Sequence, residues 1–358
     1  MYNKKMKRIL VTGAGGNAAI NFISSLRMAK EKLYIVGGDI NKYHLELADI
    51  DKAYLLPYYN SNNYIGYLNK VIKKEGIQMV YAQPDVEVEA ISENREKLNA
   101  ITLLPSKEAI RTCRSKILTN KLLEANNIPV PKSFLVMRIK DIPDYLSVLK
   151  RKYDICWLRA IKGAGSRAAL PIRTYRQAKE WIHYWRTMRA LESKDFMISE
   201  YLPGRDFAFQ SIWSNGNLVT SQARQRKEYV FGNLSVSGQS STPSIAKTVH
   251  NHKLNKIATR AVLAIDKHAT GIFCIDIKEN GEGVPCITEI NIGRFFTTSN
   301  FFAAIGSNMP YYYVKLAFGE KIPKLPKYNA TKANIYWIRG LDTLPVKVEE
   351  DKFNYTKV

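Results

Sequence analysis

The first hundred residues alternate short apolar runs with longer amphipathic ones. RILVTGA (8–14) and KLYIVGGDI (32–40) are nearly continuous in apolar residues, as is IQMVYAQPD (77–85). Runs of this length, apolar on both faces, are what strands of a covered parallel sheet require. Between them, AINFISSLRMAK (19–30) and NYIGYLNKVIKKEG (63–76) repeat apolar positions at helical spacing, as does EVEAISENREKL (87–98). The β-α-β-α rhythm predicts a parallel sheet with helices on both faces. PSKEAIRTCRSKILTNKLLEANN (105–127) predicts one or two further helices. They end at IPVPKS, where Pro129 and Pro131 force extended backbone and mark a linker.

Beyond residue 153 the pattern changes. DICWLRAI, FMISEYL, DFAFQSIWS, LVTSQAR, GIFCIDI and VPCITEI all have strand character. Only YRQAKEWIHYWRTMRAL (175–191) and NKIATRAVLAIDKH (255–268) interrupt them as helices. This half is expected to be α+β with antiparallel strands. The tail holds one more strand, ANIYWIRG (333–340).

Composition narrows the class. The 358 residues are 46% hydrophobic and 24% charged, an ordinary globular balance with room for two or three cores. No window approaches eighteen consecutive apolar residues, so no membrane span is expected. The basic N-terminus reads as the approach to a first strand rather than a signal peptide. Cys113, Cys156, Cys274 and Cys286 are scattered without a CxxC pair, which suits a reducing cytoplasm. The formal charge of +22 favours anionic partners, but the lysines are dispersed and no basic block singles out nucleic acid. His250 and His252 read as part of a solvated turn rather than a metal pair.

Two glycine loops carry candidate chemistry. VTGAGGNAA (11–19) follows a strand and opens a helix, with Asp39 at the end of the next strand. This is an imperfect dinucleotide fingerprint, and NAD dehydrogenase is the weakest of the readings it allows. IKGAGSRAA (161–169) lies between apolar stretches, with Lys162 and Arg167 beside its glycines and Arg159 on the strand before it. Such a loop can close over phosphates through its backbone amides; a plain hairpin turn is the alternative.

GIFCIDIKENGEGVPCITEINIGR (271–294) reads as a hairpin with its turn near Asn280–Pro285. That register sets Asp276 opposite Glu289, and residues two apart share a face, so Asn291 joins them. Two facing carboxylates repel unless a cation lies between them. With an amide oxygen they suit Mg²⁺, with Mn²⁺ as an alternative ion. Arg294 lies just beyond. Further along, ARQRKEYVFGNLSVSGQSSTPS (223–244) suggests a loop bordering an acceptor pocket. There Arg224 or Arg226 would hold a substrate carboxylate or an acyl phosphate, unless the tract is a solvated strand. Thr297, Thr298 and Ser299 could bind polar groups in the same pocket, while the neighbouring phenylalanines suit a core.

These motifs, in this order over roughly residues 8–320, resemble the ATP-grasp superfamily. The likeness is to members such as the carbamoyl-phosphate-synthase large subunit and related carboxylate–amine ligases. EINIGR is similar to the family's E-x-N-P-R metal strand, and IKGAGSR to its glycine-rich phosphate loop. MISEYLPGRDF resembles its adenine hinge and ribose segment, and SKILTNKLLEANNIPVPKS its entry helix. The resemblance implies a Rossmann-like pre-ATP-grasp domain over 1–104 and an ATP-grasp domain over 105–320, with a C-terminal extension over 321–358. The ATP-grasp domain would have a lid at about 130–203 and a metal-binding part at about 204–320. It implies nucleotide contacts from Lys116, Arg159, Lys162, Gly163, Gly165, Ser166, Glu200, Tyr201, Leu202 and Asp206. Metal contacts would come from Asp276, Glu289 and Asn291, and catalytic cations from Arg294, Arg159, Arg224 and Arg226. The expected reaction uses ATP to activate a small carboxylate for attack by an amine. The rivals are a transferase that stops at the acyl phosphate and a nucleotide-binding protein without turnover. No membrane partner is implied, and a homodimer is allowed. The chain departs from the family where the usual phosphate lysine falls on Arg159, and where N-I-G-R is one residue longer than N-P-R.

Overall fold

The computed structural model describes residues 6–163, 168–240, 242–340 and 346–349. The first sheet holds β1 (Lys7–Thr12), β2 (Leu33–Asp39), β3 (Lys52–Leu55) and β4 (Met79–Ala82), all parallel, in the order β3-β2-β1-β4. Helices α1 (Asn17–Arg27), α2 (Lys42–Leu45), α3 (Tyr64–Glu75) and α4 (Asp85–Glu93) connect or follow these strands. Ile9, Leu10 and Val11 are wholly buried, the reason β1 is continuously apolar. Sequence pattern alone does not reveal β3. It is an edge strand of four residues whose side chains are exposed or half-exposed, so it shows no apolar run.

The first glycine loop departs from the dinucleotide expectation. A Cβ on Gly13 would lie 2.4 Å from the Pro84 ring, and one on Gly15 would lie 2.2 Å from the His44 carbonyl oxygen. The loop therefore packs against the protein's own α2 and the β4–α4 turn. Asp39 accepts from the Gly15 and Asn41 amides.

Two short helices, α5 (Lys107–Cys113) and α6 (Lys116–Ala125), lead into a four-stranded antiparallel sheet, order β5-β8-β6-β7. Its strands are β5 (Ser133–Leu135), β6 (Cys156–Ala160), β7 (Leu170–Ile172) and β8 (Phe196–Glu200), covered by α7 (Ile142–Leu149) and α8 (Tyr175–Arg189). Thr174 and Gln177 start α8 with a reciprocal capping box. The largest sheet has seven strands, β13-β12-β9-β10-β11-β14-β15. They are β9 (Asp206–Ser214), β10 (Asn217–Tyr229), β11 (Pro243–Val249), β12 (Gly271–Glu279), β13 (Pro285–Ile292), β14 (Ile335–Ile338) and β15 (Val346–Glu349). Helices α9 (His252–Ile265), α10 (Ser299–Ala304) and α11 (Met309–Ala317) complete the described fold.

The tail is more than an appendage, since β14 pairs with β11 and extends the large sheet. The first sheet also shares a core with the third. Phe22 of α1 stacks on Tyr81 at 3.7 Å, and Tyr81 and Phe22 in turn meet Phe295, which follows β13. No described helix is long and apolar enough to cross a membrane.

Candidate active site

A cleft opens between the β5-β8-β6-β7 sheet and one face of the seven-stranded sheet, lined by residues of both. The floor is set by strand register. Arg224, Ala208, Asp276 and Glu289 form one row across β10, β9, β12 and β13, and so project from the same face. The next row is Gln222, Gln210, Cys274 and Asn291, two residues further along each strand. Alternation brings Asp276, Glu289 and Asn291 together while sending Ile275 and Ile290 into the opposite core, and a register shift at Thr288 sends Ile287 there as well.

Each carboxylate on this floor has a cationic partner. Asp276 Oδ1 accepts from Arg226, and Asp276 Oδ2 accepts from Asn291 Nδ2 at 3.0 Å. Glu289 Oε1 lies 3.0 Å from Lys116 Nζ, which also donates to the Gly163 carbonyl at 2.8 Å. Arg226 bridges to Asp206 at 3.0 Å, and the Tyr229 hydroxyl donates to the other Asp206 oxygen at 2.6 Å. Arg294 grips Asp85 with two nitrogens and donates to Asn291 Oδ1. Arg159 Nη2 donates to the Thr288 carbonyl at 2.7 Å, while its buried Nε has no partner.

These pairings tune the ionisable groups. Burial would raise Asp85, but the Arg294 guanidinium, with Arg114 and Lys116 adding, holds its carboxyl below the usual range. Burial opposes the charge on Arg226 and Arg294 as well, yet Asp276 and Asp85 respectively lift them above the ordinary arginine value. Arg159 is lowered by burial, offset by Glu289 and Asp276. Arg224 is pushed down to about 9, by burial first and then by neighbouring Arg226.

Most of the expected residues meet in this cleft. Lys116, Arg159, Gly163, Glu200, Tyr201, Leu202, Asp206, Arg226, Asp276, Glu289, Asn291, Arg294 and Thr297 all line it. Glu200 ends β8 and Leu202 follows it at one wall, where Glu200 Oε1 also accepts from the Lys132 amide at 3.1 Å. Lys162 is exposed at the start of the glycine loop. Gly165, Ser166 and Arg167 lie outside the described residues. Arg224 does not line the cleft: it is 0% exposed, behind Phe296. The choice left open between Arg224 and Arg226 changes accordingly, since Arg226 is engaged by two carboxylates. His250 contacts the Thr331 carbonyl.

Sequence reasoning missed Asp85, Tyr229 and Phe296. Asp85 follows Pro84 at the first turn of α4, an acid at a helix start that invites a cation. Nothing local says that this cation is Arg294, 209 residues away.

A family model described as the ATP-grasp domain matches residues 113–298, more than half of the chain. The chain belongs to the ATP-grasp family. No curated protein matches it. Among solved structures, the N5-carboxyaminoimidazole synthetase of Staphylococcus aureus complexed with ADP superposes with a TM-score of 0.70 at 13% identity, over 94% of this chain and 82% of that one. The biotin carboxylase domain of the Hydrogenobacter thermophilus 2-oxoglutarate carboxylase gives 0.68 at 13%, over 92% and 73%. The L-amino acid ligase of Bacillus licheniformis gives 0.65 at 12%, over 92% and 78%. At such identities the likeness speaks to fold, and the fold is ATP-grasp with an N-terminal Rossmann-like sheet. Within it, the donor set on β12 and β13 fits a hard divalent cation. No described group of three His, Cys, Asp or Glu could hold a metal, so the third protein oxygen would be the Asn291 amide.

Proposed function

We propose that this ATP-grasp protein is an ADP-forming ligase that joins a small carboxylate to an amine or a similar nucleophile. The observation that carries the reading is the register of β12 and β13. It sets two carboxylates and an amide on one polar face of a cleft that Gly163 also lines. ATP would lie in the cleft with its base against Glu200, Tyr201 and Leu202 and its ribose against Asp206. Its phosphates would run toward Lys116, Arg159 and the glycine loop. Asp276, Glu289 and Asn291 would hold Mg²⁺, which when bound supplies charge neutralisation for the β- and γ-phosphates.

The substrate carboxylate oxygen attacks the γ-phosphorus, and the bond to ADP breaks. The amine nitrogen then attacks the acyl carbon, losing a proton and expelling inorganic phosphate. The protein's part is positioning and charge stabilisation, for which Arg159 and Arg294 stand at the metal strand. The structural likeness to an L-amino acid ligase and to carboxylase-type enzymes supports the same chemistry.

Glu289→Ala should lower Mg-ATP-dependent phosphate release by at least about a hundredfold. A rate within twofold of the parent would remove the metal assignment. Measuring ADP formation with carboxylates in the presence and absence of amines tests the ligase step. Full ADP turnover without any amine would point instead to a transferase that releases the acyl phosphate.

A further inference from the structure

The strongest unexplained feature is Arg224. Four other cations of the site, Lys116, Arg159, Arg226 and Arg294, each donate to a carboxylate or a carbonyl. Arg224 does not: all three of its side-chain nitrogens are buried without a hydrogen-bond partner. Its guanidinium sits 4.7 Å from the centre of the Phe296 ring and 5.7 Å from that of Phe302. Those rings supply some attraction, but stacking does not satisfy five N–H donors. A guanidinium left in that state is a burden on the fold that an incoming anion would relieve.

The neighbouring row of the sheet and the segment between the two phenylalanines also carry unpartnered polar atoms. Gln210 Oε1, on the same face of β9, is buried without a partner. Thr298 Oγ1 and Ser299 Oγ, in the segment between the two phenylalanines, are fully buried and also unpartnered. A guanidinium and two hydroxyls can donate to a carboxylate, while the Gln210 oxygen can accept from an N–H or O–H donor on the same ligand.

Position decides what the subsite is for. Arg224 and Asp276 lie in one row, separated only by the strand that carries Ala208. Two strand spacings put their backbones about 10 Å apart. Ala208 offers a methyl group between them, leaving that stretch of floor low. Phe296 lies over this end of the cleft and also touches Arg226, at 5.4 Å.

Resting on the ligase reading above, we infer that Arg224, with Gln210, Thr298 and Ser299, forms a buried subsite for a second anionic group of the acceptor. The acceptor is therefore a small two-ended acid. One carboxyl reacts beside Asp276 and Glu289, and the other, a short carbon chain away, enters the Arg224 subsite as the Phe296 ring turns aside. Short monocarboxylates fill only the reacting end.

The test uses the full chain with Mg²⁺ and two matched series, acetate and propionate against succinate, glutarate and L-glutamate, with an amine donor present. Phosphate release should saturate with at least one diacid at a KM at least about 30-fold below that of any monoacid. Arg224→Met should erase that difference by raising the diacid KM, and added methylguanidinium should restore part of it. Arg224→Lys, which keeps the charge without the fork, should fall between the two. Equal KM values for the two series in the parent protein would overturn the inference without recourse to any variant. So would an Arg224→Met protein with an unchanged diacid KM, which would make Arg224 a packing residue. Binding of Mg²⁺ with a non-hydrolysable ATP analogue, read by calorimetry, separates the levels. Nucleotide binding with no response to any acid overturns the subsite alone. Failure of nucleotide binding overturns the ligase reading as well.

Discussion

The two glycine loops look alike in sequence and differ in what surrounds them. In VTGAGG, the space where side chains of Gly13 and Gly15 would stand is filled by Pro84 and His44. At Gly163, the first glycine of IKGAGSR, no described atom comes within 4 Å of the corresponding position, and φ is +103°. The first loop uses glycine so that other parts of the chain can come close. The second uses it to leave backbone uncovered and free to adopt a conformation that side chains disfavour. Glycine spacing alone does not separate a packing device from a ligand-facing one; what occupies the missing Cβ does.

Three substitutions sharpen this contrast, taken from the largest effect down. Gly15→Ala puts a methyl against the His44 backbone, which has no flexible end to give way. It should destabilise the fold by about 3 kcal/mol in urea titration, with the KM for ATP unaltered. A loss below about 1 kcal/mol would mean that α2 yields easily and the loop is looser than its contacts imply.

Glu87 probes the interior behind the same loop. Its carboxyl is buried near Thr12 and Tyr64 and is raised from 4.5 to about 7, by burial first, with Asp39 adding. A carboxyl raised in the folded state weakens the fold once it must ionise. Stability should therefore fall as pH climbs from about 4.5 to about 7 and level off above. Glu87→Gln removes that penalty, on the order of 3 kcal/mol above pH 7 and none at pH 4.5. Parallel denaturation curves for parent and variant across this range would refute the assignment.

Gly163→Ala should act in the opposite sense to Gly15→Ala. With open space around it, the cost to stability is confined to the positive φ, about 1 kcal/mol. The KM for ATP should rise several-fold, because a methyl stands where backbone is to approach phosphate. Unchanged ATP kinetics would sever this loop from the nucleotide.

The readable and unreadable parts of the molecule divide along the same line. The β12–β13 hairpin was legible because alternation and one turn fix which residues face each other, and both are local. The two-helix entry and the parallel strands of the first sheet were legible for the same reason. The edge strand β3 hides because four exposed or half-exposed positions carry no period. Arg224 and Arg226 could not be told apart in the sequence, since both face the same side of β10. Only the contacts from Asp206 and Asp276 to Arg226, and from Phe302 to Arg224, distinguish them. Asp85 was hidden by distance along the chain.

That last contact binds the architecture together. Asp85 belongs to the parallel sheet's helix α4, and Arg294 lies just beyond β13, yet they form one interior ion pair. Removing the Asp85 carboxylate from the intact fold would leave the guanidinium buried without its counter-charge, a penalty of roughly 3–5 kcal/mol by itself. Arg294, just beyond β13, takes its counter-charge from a helix 209 residues earlier in the chain, so the parallel and seven-stranded sheets are tied electrostatically as well as by packing.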